Sequence, residues 1–171
     1  MKALQENLTN MLTNNEQVVE VDTRFGKLKI NLDKQINFPE GILGFENFTQ
    51  FCLAEYPNTA FSQFKILQSI QNYDLSFLIL PLADYNNFDR LYDLNDLNEA
   101  GKKYNINIKN IVLISMVSIN RANENSTAQV FINMRAPILI DIEHYKGYQH
   151  VLLNKKYQIK HQIELGFTEI K

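Results

Sequence analysis

The stretch 38–46, Phe-Pro-Glu-Gly-Ile-Leu-Gly-Phe-Glu, constrains the fold of this chain more than any other. Pro39 holds φ at a value that suits the second position of a β-turn, and Gly41 suits the fourth position. Gly44 provides a second point where φ can be positive or where another backbone can come close. The sequence therefore predicts a tightly turned segment here.

Apolar side chains crowd this turn, although loops normally run through water. They belong to Phe38, Ile42, Leu43 and Phe45. We expect the turn to pack on the body of the domain or against a partner. Glu40 and Glu46 place two carboxylates at its rim.

Composition restricts the class of protein. With 171 residues, 45% of them apolar, the chain is long enough for one globular domain with a sizeable core. A formal net charge of −2 argues against a protein whose main function is to bind the phosphate backbone of a nucleic acid. The cluster formed by Lys155, Lys156, Lys160 and His161 is interpreted as a solvated strand end.

The compartment is predicted from cysteine usage and hydropathy. Cys52 is the single cysteine, so an internal disulfide is impossible and a reducing environment fits best. It lies within an apolar run, which favours a small buried hydrophobe over a nucleophile. No apolar run approaches the length of a membrane span, and the first residues lack the apolar core of a signal peptide. We expect a cytoplasmic protein.

Short runs with a period of two predict β-strands along most of the chain. The clearest is 27–32, where Leu28, Ile30 and Leu32 alternate with polar residues. The predicted strands are 18–22, 27–32, 51–53, 64–70, 75–80 (ended by Pro81), 111–119, 127–133, a strand from Pro137, and 148–153. Lys146-Gly147 is interpreted as a hairpin turn.

The helical signal is limited to two segments. Asp93 is expected to cap a helix whose end is marked by Gly101 and the pair Lys102-Lys103. Leu4, Leu8, Met11 and Leu12 share one face of a possible helix, short enough to be frayed or docked.

Together these elements predict a mainly β fold. We expect an antiparallel barrel-like or sandwich sheet with one or two short helices. The expected organisation is an N-terminal extension at 1–17, a single β-rich domain at 18–161 and a tail at 162–171.

Reactive chemistry is sparse. There is no Gly-rich phosphate loop, no GxSxG, and no zinc spacing among His144, His150 and His161. A Cys52–His dyad has no supporting motif, and the carboxylates of Glu40 and Glu46 are interpreted as a solvated rim. The sequence predicts a protein-binding module without catalytic residues, metal or cofactor.

Several ordered blocks carry a resemblance to the flagellar assembly factor FliW family, over roughly residues 19–161. The 38–46 turn is the most specific block. The others are 21–26 (Val-Asp-Thr-Arg-Phe-Gly), 67–69 (Leu-Gln-Ser) with 75–79, 133–138 (Asn-Met-Arg-Ala-Pro-Ile), Lys146-Gly147 and 157–161 (Tyr-Gln-Ile-Lys-His). The extension at 1–17 and the tail have no assigned counterpart, and Asn154 stands where an acid is common.

The resemblance implies a non-enzymatic, chaperone-like regulator of flagellum biogenesis. Members of the family bind flagellin and the RNA-binding translational regulator CsrA. Binding to CsrA relieves its repression of flagellin translation, and flagellin competes for the factor, so two binding equilibria are linked.

Candidate partner-binding residues follow from the turn and from two neighbouring blocks. They are Phe38, Glu40, Ile42, Phe45, Glu46, Leu67, Gln68, Ala136 and Pro137. Pro39, Gly41, Gly44 and Gly147 are expected to have backbone roles in turns. Two other classes stay open: a small-ligand or flavin-binding barrel, and an oligonucleotide-binding barrel.

Overall fold

The computed structural model describes residues 2–12, 17–120 and 128–164. In these ranges the chain forms two α-helices and eleven β-strands. The helices are α1 (Lys2–Leu12) and α2 (Leu94–Tyr104). The strands are β1 (Val18–Thr23), β2 (Gly26–Asn31), β3 (Ile36–Asn37), β4 (Gln50–Glu55), β5 (Lys65–Ser69), β6 (Ser76–Asp84), β7 (Ile111–Asn120), β8 (Gln129–Ile132), β9 (Ile138–Asp141), β10 (Lys146–Gln149) and β11 (His161–Ile163). The mainly β prediction is confirmed.

A sheet that closes on itself forms the centre of the molecule. From β7 its strands follow in the order β6, β5, β4, β3, β10 and β9. The ring closes because β9 pairs with Ile111–Ile114 of β7. The second half of β7, Val117–Asn120, pairs instead with β8, which carries β11 at its edge. All of these pairs are antiparallel except the parallel contact of β10 with β3.

Strand β4 shows why both faces of the sheet are buried. Successive side chains point to opposite faces. Phe51 and Leu53 join the inner cluster of the barrel, whereas Cys52 and Ala54 join an outer cluster. The β1–β2 hairpin covers that outer face with Val21, Leu28 and Ile30.

Helix α2 covers another part of the outer surface. Asp93 caps it as predicted, accepting a hydrogen bond from Asn95 N at 2.8 Å. The helix includes Gly101 and the pair Lys102-Lys103 that were expected to mark its end, and its C-cap is Asn105, which has φ 53°. Gly101 lies inside the helix, where a Cβ would come within 2.7 Å of Ile108 Cγ2. Its lack of a side chain therefore serves packing.

The predicted boundaries of β6 and β10 were wrong. Strand β6 continues through Pro81, which pairs with Ile114 of β7, and a bulge follows directly, between Pro81 and Ala83. The hairpin turn before β10 ends at Tyr145, with φ 51°, and the strand begins at Lys146. Gly147 is thus a strand residue, and β10 ends at Gln149, short of the predicted 153.

The N-terminal extension forms α1 and docks on the domain. Leu8 and Met11 are buried in the inner cluster, and Leu4 and Leu12 pack against it. Residues 1 and 13–16 of the predicted extension, Thr127 of the predicted strand, and 165–171 of the predicted tail lie outside the described residues.

Candidate functional site

The 38–46 segment forms two consecutive tight turns. In the first, Gly41 N donates to Phe38 O at 2.9 Å. In the second, Phe45 N donates to Ile42 O at 2.7 Å, and Gly44 sits at the third position with φ 82°. A positive φ there is the requirement of a type II turn, which explains the glycine.

Contacts between the two turns fix the backbone path. A Cβ on Gly41 would lie 2.5 Å from Glu46 Cα, so the chain passes over itself at that point. The Glu46 carboxylate accepts a hydrogen bond from Gly44 N at 2.8 Å. Backbone hydrogen bonds from Gly44 and from Glu46 itself lower the pKa of this carboxyl, so it remains charged.

Two of the predicted partner contacts belong to the core. Phe38 and Ile42 are fully buried. The Phe38 ring lies over β10, where a Cβ on Gly147 would come within 2.3 Å of the ring. Gly147 therefore makes room for an aromatic ring that anchors the turn to the barrel.

Leu43 and Phe45 form the exposed apolar part of the turn. Their side chains are 52% and 42% exposed. The Phe45 ring meets Phe77 edge-on with centroids 5.3 Å apart. Phe77 in turn contacts the buried Phe51, with centroids 6.2 Å apart. A row of rings thus connects this surface with the barrel interior.

The structure brings the Ala136-Pro137 block close to the turn through a residue that sequence reasoning missed. Gln149 accepts a hydrogen bond from Leu43 N at 3.0 Å and donates to Ala136 O at 3.4 Å. Ala136 and Pro137 are both buried. No motif singles out Gln149, because its role depends on strand pairing between distant segments.

The Leu-Gln-Ser block holds the neighbouring 70–75 turn together. Gln68 is fully buried, and its amide donates to the carbonyls of Ser69 and Leu75 and accepts from Ser76 Oγ at 2.5 Å. Leu67 is also fully buried. Gln71 from this turn accepts from Thr49 N at 2.7 Å. The block lies next to the 38–46 turn, and its own side chains do not reach the surface.

An aromatic cluster beside Glu40 was not predicted. Tyr104 at the end of α2 stacks on Tyr148 of β10 with centroids 4.3 Å apart, and its hydroxyl lies 3.2 Å from His150 Nδ1. Burial and the nearby Lys103 lower the pKa of His150, whereas Glu99 and Glu40 oppose that shift. Partly exposed tyrosines are common contact residues in interfaces. The spacing of these residues gave no signal because α2 and β10 are far apart in sequence.

The remaining chemistry is limited. Burial raises the pKa of the Cys52 thiol to about 12, which suits a packing role. Among residues 2–12, 17–120 and 128–164, no three His, Cys, Asp or Glu side chains come together as a metal site. In the same part of the chain no helix is long and apolar enough to span a membrane.

Of the predicted partner residues, Glu40, Phe45 and Glu46 lie at the surface. The others are buried, and the binding role of the whole set stays a prediction. We define the turn surface as Glu40, Leu43, Phe45 and Glu46.

Comparisons with known proteins show which family this chain resembles in sequence and in structure. The family model described as "FliW protein" matches residues 20–163. The flagellar assembly factor FliW of Thermosipho africanus is 32% identical over 153 residues, with 88% of this chain and 100% of that protein covered. The protein of the same description from Thermoanaerobacter pseudethanolicus is 34% identical, with 85% and 93% covered. A crystal structure of the flagellar assembly factor FliW is similar with a TM-score of 0.61 at 26% identity, covering 84% of this chain and 96% of that one.

Proposed function

The chain belongs to the FliW family of flagellar assembly factors, and we propose that it acts as a non-enzymatic, protein-binding regulator in the cytoplasm. Its partners are flagellin and the RNA-binding translational regulator CsrA. Binding to CsrA relieves repression of flagellin translation. Flagellin and CsrA compete for this protein. Free flagellin binds it and keeps it from CsrA, and secretion of flagellin leaves it free to bind CsrA.

The exposed apolar side chains of the turn surface carry this proposal. Leu43 and Phe45 remain 52% and 42% exposed in a turn whose backbone is fixed by internal hydrogen bonds. Apolar groups bounded by polar ones commonly mark partner sites. A rigid turn loses little conformational entropy on binding, so more of the contact energy appears as affinity.

Charge supports CsrA as one of the partners. An RNA-binding protein needs a basic surface, and this chain carries a net charge of −2. The exposed carboxylates of Glu40 and Glu46 lie on either side of Leu43 and Phe45 along the turn. Opposite charges at the rim speed association and orient the two proteins.

Calorimetric titration with CsrA and with flagellin from the same cell, followed by a competition titration, tests the proposal. We expect binding to both partners, with flagellin preventing the CsrA interaction. Phe45→Ser should weaken binding of at least one partner by tenfold or more, because a central apolar contact is removed. Leu94→Ser is the matched control, since Leu94 is 41% exposed and is the first residue of α2, at the opposite end from Tyr104.

Each other outcome has a definite meaning. Binding to flagellin alone would leave a chaperone-like role and remove translational control. Binding to neither partner would overturn the proposal. If Phe45→Ser changes the affinities no more than Leu94→Ser does, the turn surface is not the contact.

A further inference from the structure

Helix α1 lies on an apolar surface of its own domain. Leu8 and Met11 are only 6% and 3% exposed, whereas Ala3, Glu6 and Asn10 on the other face are exposed. The helix packs against strands β4 and β6 and joins the cluster that fills the barrel. The apolar stripe predicted from the sequence is thus fully used in an intramolecular contact.

The surface below α1 belongs to the interior of the barrel. We define the inner groove by the inward side chains of these two strands, which are Phe51, Leu53, Phe77 and Ile79. Phe77 also touches Phe45, so the inner groove is continuous with the turn surface. A second apolar element can therefore lie in the groove and contact the turn surface at the same time.

The helix lies outside the range that the family model matches. That match begins at residue 20, after α1 has ended. The matched range therefore includes the inner groove but not α1.

Helix α1 has little intrinsic stability. It has 11 residues, with no acidic residue in its first turn and no basic residue in its last turn, so the helix dipole is not compensated. Isolated helices of this length are marginal in water. The helical state of α1 therefore depends on its contact with the inner groove. We expect α1 to unfold when it leaves the groove.

We propose that α1 is a built-in competitor that occupies a groove for a helix of a partner protein. The occupant we infer is an amphipathic helix with large unbranched or γ-branched apolar residues at i, i+4, i+7 and i+8, as α1 itself carries. A partner helix must displace α1, which lowers its apparent affinity by the fraction of time that the groove is open. The inference deepens the proposed function and rests on it only for the identity of the partner.

The test uses the full-length chain and a labelled peptide with the sequence of residues 2–12 and blocked ends. Leu8→Asp/Met11→Asp should release α1, because two carboxylates cannot remain in an apolar groove. Fluorescence anisotropy should then show peptide binding that is about 10–100-fold tighter than to the unmodified chain. Ala3→Asp/Asn10→Asp is the matched control, since it adds the same charges to the exposed face and should leave peptide binding unchanged.

Further measurements keep the outcome decisive. A peptide with Leu4, Leu8, Met11 and Leu12 changed to serine should not bind. If the double variant does not fold, Leu8→Ala and Met11→Ala provide smaller openings, each expected to tighten peptide binding severalfold. Equal peptide binding by the folded variants and the unmodified chain would overturn the proposal. Neither flagellin nor CsrA is present, so failure of the proposed function would leave this result unaffected.

Discussion

At the scale of single residues, two glycines determine how the turn joins the barrel. Gly41 lies where the backbone of the turn crosses over Glu46, and Gly147 lies directly under the Phe38 ring. Neither position is a generic loop glycine. Each is required because a side chain would occupy space already taken by another part of the chain.

Gly41→Ala should destabilise the protein by about 3 kcal/mol, because it combines a positive φ with a Cβ in contact with backbone. Chemical denaturation measures the loss. Gly44→Ala is the control, since Gly44 has φ 82° and open space around its Cβ position. It should cost only about 1–2 kcal/mol for the backbone strain. Equal losses for both variants would show that the close contact with Glu46 has no energetic consequence.

Gly147→Ala should cost roughly 2–3 kcal/mol by forcing the Phe38 ring out of its site. In a Phe38→Leu background the same substitution should cost less than about 1 kcal/mol, because the smaller side chain leaves room for the methyl group. A double-mutant cycle by denaturant unfolding gives the coupling between the two positions. Additive losses would contradict the packing assignment.

At the scale of elements, the segment after β10 is fastened to the rest of the domain by Tyr157. Its hydroxyl accepts from Asp93 N at 2.9 Å and donates to Asp96 Oδ2 at 2.8 Å, at the start of α2. Its ring packs against Tyr92, and its carbonyl accepts from Arg135 Nε at 2.8 Å. A segment with little regular structure is thus ordered by side-chain contacts.

Tyr157→Phe should lower the free energy of unfolding by about 2 kcal/mol, because one hydrogen bond to a carboxylate is lost and Asp93 N loses its acceptor. Thermal or denaturant unfolding measures this change. Tyr73→Phe removes a hydroxyl from a side chain that is 44% exposed and should change stability by no more than about 0.5 kcal/mol. A loss as small as that of Tyr73→Phe would mean that the Tyr157 hydroxyl does not fasten the segment.

At the scale of the whole molecule, β7 is the strand that closes the barrel. It pairs with β6 on one side and with β9 and then β8 on the other. Its first half is buried on both faces, which suits its apolar sequence. Helix α1, in contrast, touches the domain through one apolar stripe.

Native-state hydrogen exchange should separate these two regions. Amides of Ile111–Ile114 in β7 should exchange only with global unfolding, whereas amides of α1 should exchange at least about a hundredfold faster through local undocking. Mass spectrometry of peptic fragments measures both in one sample. The Leu8→Asp/Met11→Asp variant should abolish protection in α1 while β7 stays protected. Equal protection of α1 and β7 would contradict an independent opening of the helix.

Much of the fold was predictable because it rests on local patterns. Alternating apolar residues predicted the β1–β2 hairpin, and the cap at Asp93 predicted α2. The errors occurred where a distant contact decides the backbone. Pro81 lies in β6 next to a bulge opposite β7, and Gly147 lies in β10 because it pairs with Ile140 of β9.

The candidate site was predictable only in part. The sequence identified the 38–46 turn, yet burial divides its apolar residues into core (Phe38, Ile42) and surface (Leu43, Phe45). Gln149 and the Tyr104–Tyr148 stack were missed because they depend on which strands and helices become neighbours.

The sequence by itself determined the period of the strands, the positions of the turns that need glycine or proline, the amphipathic stripe of α1 and the resemblance to the family. Each of these depends on residues close together in the chain, where φ preferences and side-chain alternation act directly. Only the tertiary structure decided the closure of the barrel by β7 and β9 and the seating of α1 on the inner groove. These depend on burial shared between distant segments, and many sequences with the same local pattern could bury those faces in other ways.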